Sequence, residues 1–363
     1  MYDGLYEALG LFDDDAVEVA VHADHPTLNR ELAGRLAAGE RFDVVSTHSK
    51  YAPSQAAWLW PLDGPQTPGP VRDALATLAP GAVAHRALAL CRWEASLYSL
   101  PRNIDVRTLW ADVTAIGRVP ATWDDLDATG LAFGFTGRES GLFGTFFEIV
   151  TARGGRLFAD DGTPALRSDD AADALALLQR LAARLPASFP EWQYDDVDAA
   201  LGDGTVALAA AWPGATARLR ASTAGPRLRP FGYFDGISYA GCHSWAVPRT
   251  CADPDAAARL ILRLGSAAAH AADAAAGTVP ARTDVLDAVR PGDETDAARW
   301  SVLRDTIAGG MITYPPLARF PEIEDACWSA IRNVLVGRRP IPDALDAMQA
   351  AALAAVGTAG PPG

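Results

Sequence analysis

An α/β protein of two domains is what this sequence predicts, and three observations carry the prediction. Strand-like and helix-like patterns alternate along the chain, the order that builds α/β folds. The 363 residues exceed what one hydrophobic core usually spans. Hydrophobic residues make up 49% of the chain and charged residues 21%, the balance of a folded globular protein and not of a disordered one.

The elements follow in order. AVEVAV at 16–21 alternates as a strand should, Thr27 is placed to cap a helix reaching about Ala38, and FDVV at 42–45 reads as the next strand. Together these make a β-α-β unit, the building block of parallel sheets. Thr122 in TWDDL opens a helix, with Asp125 three residues later as a weaker form of the capping box, and LAFGFT at 131–136 reads as a strand. Gly154 and Gly155 end a helix, Asp161-Gly162 marks a turn, and Ser168 caps the helix that follows. GTVALAAAWPG is a strand ending in a turn. Asp253 as N-cap with Pro254 at the first helical position starts one or two helices that stop at Gly277. Ile323, Cys327, Ala330, Ile331 and Val334 recur at helical spacing, and PDALDAMQAAALAAV supplies a terminal helix.

Charge and composition remove several classes of function. A formal charge of −14 repels phosphate backbones, and no basic stripe interleaved with aromatics is present, so nucleic acid is not an expected partner. Lysine occurs only at Lys50, so arginine carries nearly all positive charge and no single arginine is informative by its type alone. Cys91, Cys242, Cys251 and Cys327 are widely spaced without a CxxC pair, which disfavours zinc and leaves a Cys242–Cys251 bridge open. No run of about 18 uncharged apolar residues exists to span a bilayer. The start, MYDGLYEALGLFDDD, lacks the basic and apolar regions of a secretory signal. His22 and His25, three residues apart beside a proline, read as strand-end surface residues, and no metal is assigned. HExxH, GxSxG, GxGxxG and the Walker loop are all absent.

One stretch asks for more than a structural account. FDVV runs into STHSKY, and ligands of parallel α/β sheets bind beyond the carboxyl ends of strands, where Thr47, His48, Ser49 and Tyr51 would stand. An ordinary strand-to-helix cap, with Ser46, Thr47 and Ser49 satisfying helix N–H groups, explains the same residues.

The order of several segments weighs on that choice. They are LNRELAGRLAAGERFDVVSTHSKYAPSQAAWLWPLD, SLYSLPRNIDVRTLWADV, PATWDDL, FEIVTARGGRLFADDGTPAL, ALGDGTVALAAAWPG, FDGISYAGCHSWAVP, AGTVPARTDV and ACWSAIRNVLVGRRPIPDAL. In this order they resemble the extracellular solute-binding proteins of ABC importers, in the branch that includes maltose-binding protein. The resemblance covers nearly the whole chain. It implies the type II periplasmic-binding-protein fold, two α/β lobes with an interlobe cleft and a hinge, and closure by hinge motion is a general property of periplasmic binding proteins. Lobe one would be 1–104 plus 241–300, and lobe two 105–240 plus 301–363. Members of the family begin with a signal and an initial strand, whereas this chain starts at what resembles the first loop and helix.

Carried onto this sequence, the resemblance implies a ligand site lined by His48, Ser49 and Tyr51, by Asn103 and Asp105 in PRNIDVRTL, and by Arg138, Glu139 and Ser140 in GFTGRES. Trp212 in AWPG and the turn carrying Gly241, Cys242, His243 and Trp245 complete it. A sugar offers hydroxyls to carboxylates and amides and an apolar face to aromatic rings, roles that suit Asp105, Glu139, Asn103, Trp212 and Tyr51. Each has a plainer alternative: a turn cap for Asp105, a surface ion pair of Arg138 with Glu139, structural burial for Trp212, core packing for Trp245, and backbone contact alone for Cys242 and His243. The expected ligand is a neutral mono- or oligosaccharide. Arg102, Arg138 and Arg282 raise a uronate or other carboxylate as a second ligand class. The expected partners are that small molecule and an ABC permease, met by a monomer outside the cytoplasm, with no cofactor. The reading from another class is an enzyme on the same scaffold, since Asp105 and Glu139 could mimic a glycosidase pair.

Overall fold

The computed structural model describes residues 4–11, 13–23, 25–78 and 82–357. The chain divides into two units, one of Met1–Asp105 with Gly241–Arg290 and one of Val106–Ala240 with Pro291–Gly363. Residues 291–300, expected in the first lobe, stand in the second unit, because the helix Glu294–Asp305 packs on the strand Leu228–Phe231 and buries Trp300 and Leu303. Asp105, expected to open the second lobe, closes the first stretch of the first unit.

In the first unit the sheet has three antiparallel strands, with His243–Ala246 between Val45–His48 and Leu100–Pro101. The register sets Val45 opposite Ala246 and His48 opposite His243. Four expectations fail here. AVEVAV forms no strand: no described segment pairs with it, and Val19 is 43% exposed. Alternation alone cannot make a strand, because the ladder hydrogen bonds must come from a neighbour. The β-α-β unit fails with it, and the surviving strand pairs antiparallel with a segment about 200 residues downstream. That strand also starts at Val45 and not at Phe42: its register begins with Val45 opposite Ala246, and the Asp43 carboxylate just before it accepts the Asp253 N–H (3.2 Å). The helix expected to start at Thr27 is His25–Ala37, so Thr27 lies within it and does not cap it.

The caps read from sequence elsewhere in the chain are present. Thr122 accepts Asp125 N–H (3.0 Å), Ser168 accepts Ala171 N–H (3.2 Å) and Asp253 accepts Ala256 N–H (2.9 Å). The helices Pro254–Leu264 and Ala267–Ala275 follow the last of these. Leu100, Trp245, Val247 and Ile261 form the main core of this unit, and Leu32, Leu36, Val45, Leu59 and Ala246 a smaller one.

The second unit is built on a four-stranded sheet ordered Phe133–Gly134, Leu208–Ala211, Thr108–Asp112, Leu228–Phe231. Thr108–Asp112 is buried along its whole length. The helix Glu139–Ala152 packs against Asp169–Ala182 and Phe320–Leu335, and the last of these against Ile341–Gly357. Ser238 and Tyr239 pair in parallel with Met311 and Ile312.

Asp112 ends the central strand of this sheet and fastens the turn after it. Its Oδ1 accepts the Thr114 hydroxyl (2.7 Å) and N–H (3.0 Å), and its Oδ2 accepts Arg227 Nε (2.8 Å). Burial pushes its carboxyl up, but the Thr114 and Arg227 bonds outweigh burial and hold it at about 2. A carboxyl depressed below its unfolded value of about 3.9 contributes stability above that pH and loses it as pH falls towards 2. Asp112→Asn should therefore lose roughly 1 to 2 kcal/mol at pH 6, and urea unfolding should show the gap to wild type closing below pH 4.

Candidate functional site

In the first unit, the strand order brings His48, Ser49, Tyr51, Asn103, Asp105 and the Gly241–Trp245 stretch together. Val45–His48 ends in a single 3-10 turn, Ser49–Tyr51, so STHSKY is half strand and half turn. Thr47 is buried and donates to Gln55 Oε1 (2.6 Å), which makes it structural. Ser49 holds the neighbouring strand: its N–H donates to the Cys242 carbonyl (2.9 Å), and its Oγ accepts the Cys242 N–H (3.1 Å). His48 Nδ1 accepts the Lys50 N–H (3.2 Å), and its ring meets the His243 ring edge-on at 5.2 Å and the Tyr51 ring at 6.2 Å. Gly241 lies against the His48 imidazole so closely that a side chain there would run into the ring.

Asn103 is the organiser of this set. Its Nδ2 donates to both Asp105 oxygens (3.1 and 3.2 Å), and its Oδ1 accepts the His243 N–H (2.8 Å). His243 Nε2 stands 3.5 Å from Asp105 Oδ2, a pairing that becomes ionic only when the imidazole is protonated. Trp245 faces the core of the unit, 4% exposed, edge-on to Tyr6 and beneath the Arg102 guanidinium at 5.7 Å.

Two arginines invoked for an acidic ligand are already engaged. Arg102 binds Asp273 through two bonds of 2.7 Å, with both side chains 2% exposed. Arg282 binds Asp284 (2.7 and 3.0 Å) and the Leu78 carbonyl (3.2 Å). The expectation of convergent guanidinium groups for a carboxylate thus loses Arg102 and Arg282, because each is neutralised inside the fold.

The second unit carries Arg138, Glu139, Ser140 and Trp212. Arg138 is the N-cap residue of the helix Glu139–Ala152, and its Nε is buried without a hydrogen-bond partner. Glu139 adopts φ +57°, a left-handed conformation that costs a non-glycine residue roughly 1 kcal/mol or more. Ser140 Oγ lies 3.3 Å from the Tyr194 hydroxyl, which is itself 3.3 Å from the Tyr239 hydroxyl. Trp212 stands edge-on to both rings, at 6.1 Å from Tyr194 and 5.1 Å from Tyr239.

Beneath this aromatic wall is a buried ion pair, Arg107 with Glu148. Arg107 also donates to Thr145 Oγ1 (3.1 Å) and lies 5.0 Å from the centres of Tyr233 and Tyr239 and 5.9 Å from that of Trp212. Glu148 Oε1 accepts the Tyr239 N–H (2.9 Å). Burial works against the charge on Arg107, but the Glu148 carboxylate beside it more than compensates and raises its pKa. Reading the sequence did not find Tyr194, Tyr239 or Arg107. One signal was available for Tyr239: Gly144 sits inside a strongly apolar helix, where glycine costs about 1 kcal/mol relative to alanine. The Tyr239 ring occupies the place where a side chain at 144 would be.

Against these observations stand the comparisons with known proteins. A family model described as bacterial extracellular solute-binding protein matches residues 17–298. The chain belongs to that family. Its members are binding proteins and not catalysts, and they are extracellular. Maltose-bound MalE3 of T. maritima superposes with a TM-score of 0.83 at 20% identity, over 96% of this chain and 95% of that one. The GacH receptor of Streptomyces glaucescens, solved unliganded and with acarbose, gives a TM-score of 0.81 at 17% identity, over 98% and 96% of the two chains. An ABC transporter solute-binding protein of Agrobacterium radiobacter K84 in complex with ribitol gives 0.79 at 19%, over 91% and 89%. The fold is therefore the two-lobed one of maltose-binding-type proteins. Among the described residues no helix is long and apolar enough to cross a membrane, and no group of three or more His, Cys, Asp or Glu could hold a metal ion.

Three substitutions test how the site residues are held. Arg107→Met leaves Glu148 buried without its partner and should cost about 3 to 5 kcal/mol in denaturant unfolding. Arg107→Met with Glu148→Leu should recover most of that loss, since an apolar pair removes the uncompensated charge. Gly241→Ala should shift His48 and lower the melting temperature by a few degrees, read by differential scanning calorimetry.

Proposed function

We propose that the protein captures a small polar solute, most simply a neutral mono- or oligosaccharide, and hands it to an ABC import permease outside the cytoplasm. The observation that carries the ligand class is the wall of Trp212, Tyr194 and Tyr239 beside the Ser140 hydroxyl. Aromatic faces and edges match the C–H faces of a sugar ring, and the hydroxyl serves its polar rim. In the first unit the Asp105 carboxylate and the His48 and His243 rings supply acceptors and donors of the kind sugar hydroxyls need.

In this reading Asn103, Cys242 and Trp245 act as supports. Solved proteins of the same fold have been seen with maltose, ribitol, α-D-tagatose and acarbose, all of them rich in hydroxyls. The pairing of Arg102 and Arg282 inside the fold speaks against a carboxylate ligand. Tighter binding to one conformation than to another would supply the shift that a permease reads, and the protein is proposed to act as a monomer.

A thermal-shift screen of neutral sugars, polyols and uronates tests this, with mass analysis of any stabilising compound after incubation. A ligand at 100 times its dissociation constant adds about 2.7 kcal/mol of stability. A neutral sugar or polyol recovered intact is the expected result. Stabilisation by uronates alone overturns the ligand class, and a chemically altered compound overturns the binding-only role. With a ligand in hand, Trp212→Ala should weaken it by about tenfold, or 1.4 kcal/mol, in titration calorimetry.

A further inference from the structure

Cys91 and Cys242 are 151 positions apart in sequence, yet their sulfur atoms lie 3.8 Å from each other and both residues are fully buried. Cys91 is the C-cap residue of the helix His85–Leu90, and its carbonyl accepts the Tyr98 N–H (3.1 Å). Cys242 lies between Gly241 and His243, held by its reciprocal bonds to Ser49. The other two cysteines are committed elsewhere: the Cys251 thiol points at Asp43 Oδ1 (3.5 Å), and Cys327 sits in the core of the second unit. The bridge left open by sequence spacing, Cys242 to Cys251, is thus not the pairing the fold prepares.

We propose that Cys91 and Cys242 are a disulfide site, oxidised in the compartment where the family works. A disulfide needs its sulfurs about 2 Å apart, and the 3.8 Å between these two leaves them neighbours with no other atom needed to bring them into bonding reach. Extracellular proteins keep such bonds, because no thiol pool reduces them. The oxidant is a disulfide of the dithiol or glutathione class. The two protein thiols give up two electrons and two protons, their S–H bonds are replaced by one S–S bond, and the oxidant's S–S bond breaks to two thiols. Burial of both sulfurs places this exchange during folding, before they are enclosed. The bridge fastens the segment that carries Gly241 and His243 to the end of the helix His85–Leu90. It does not depend on which ligand is bound.

The test is made on the full chain, refolded with oxidised glutathione, then denatured in excess alkylating agent without reductant. Two alkylated cysteines per chain are expected in place of four, with the Cys91 and Cys242 peptides recovered as one linked species that reductant separates. The oxidised protein should melt several degrees above the reduced one, and Cys91→Ser should abolish that difference. Four alkylated cysteines after oxidative refolding, or linkage of Cys242 to Cys251, overturns the proposal. If Cys91→Ser does not fold, the peptide linkage in the wild-type chain decides alone.

Discussion

The ion pair of Arg107 with Glu148 is the interaction on which the aromatic cluster of the second unit depends. Both charges are buried, so neither is tolerable without the other. The pair fixes three things together. The Arg107 N–H donates to Ser238 Oγ (2.7 Å), Glu148 takes the Tyr239 N–H (2.9 Å), and the guanidinium lies close to the rings of Tyr239 and Trp212. One ion pair thus stands at the strand after residue 106, the strand before residue 241 and the aromatic wall of Trp212, Tyr194 and Tyr239. In sequence, Arg107 and Tyr239 each stand within two residues of a point where the chain passes from one unit to the other.

The first unit reaches the same end by a neutral route. The Asn103 amide fixes the Asp105 carboxylate and the His243 backbone, and the Ser49 hydroxyl fixes the Cys242 backbone. Such bonds contribute about 1 kcal/mol each, but a missing partner would leave a buried polar group unsatisfied at greater cost. Position, more than stability, is what they secure.

What could be read in the sequence divides along the same physical line. Local chemistry was legible: Thr122, Ser168 and Asp253 cap the helices they were expected to cap, because an N-cap bond closes within three residues. The order of segments was legible too, and with it the two-lobed fold. Pairing across long separations was not. AVEVAV has a strand's alternation and no partner, Val45 starts its ladder only because residues near 246 lie beside it, and Arg107 meets a glutamate 41 positions away. Of the expected site residues, the structure gathers those of the first unit by hydrogen bonds and ring contacts, and Ser49, Tyr51, Asn103, Asp105, Cys242 and Trp245 are buried. The aromatic neighbours of Trp212 escaped notice because Tyr194 and Tyr239 come from separate stretches, and only a glycine at 144 hinted at a ring.

The arginine content bears on the ligand in a way composition alone obscured. A chain that uses arginine for nearly all its positive charge could present a cationic pocket, yet the buried guanidinium groups face carboxylates of their own: Arg102 has Asp273, Arg107 has Glu148, Arg282 has Asp284 and Arg299 has Asp296. A carboxylate ligand would have to compete with partners already in bidentate or doubly bonded geometry. In the first unit it would also meet Asp105, whose negative charge repels it. A neutral polyhydroxylated ligand incurs neither cost, since its hydroxyls can donate to a carboxylate and accept from an imidazole. Charge pairing thus occupies the four buried arginines among the described residues, and of the arginines first considered for an acidic ligand only Arg138, with its buried Nε lacking a hydrogen-bond partner, stays outside such a pair.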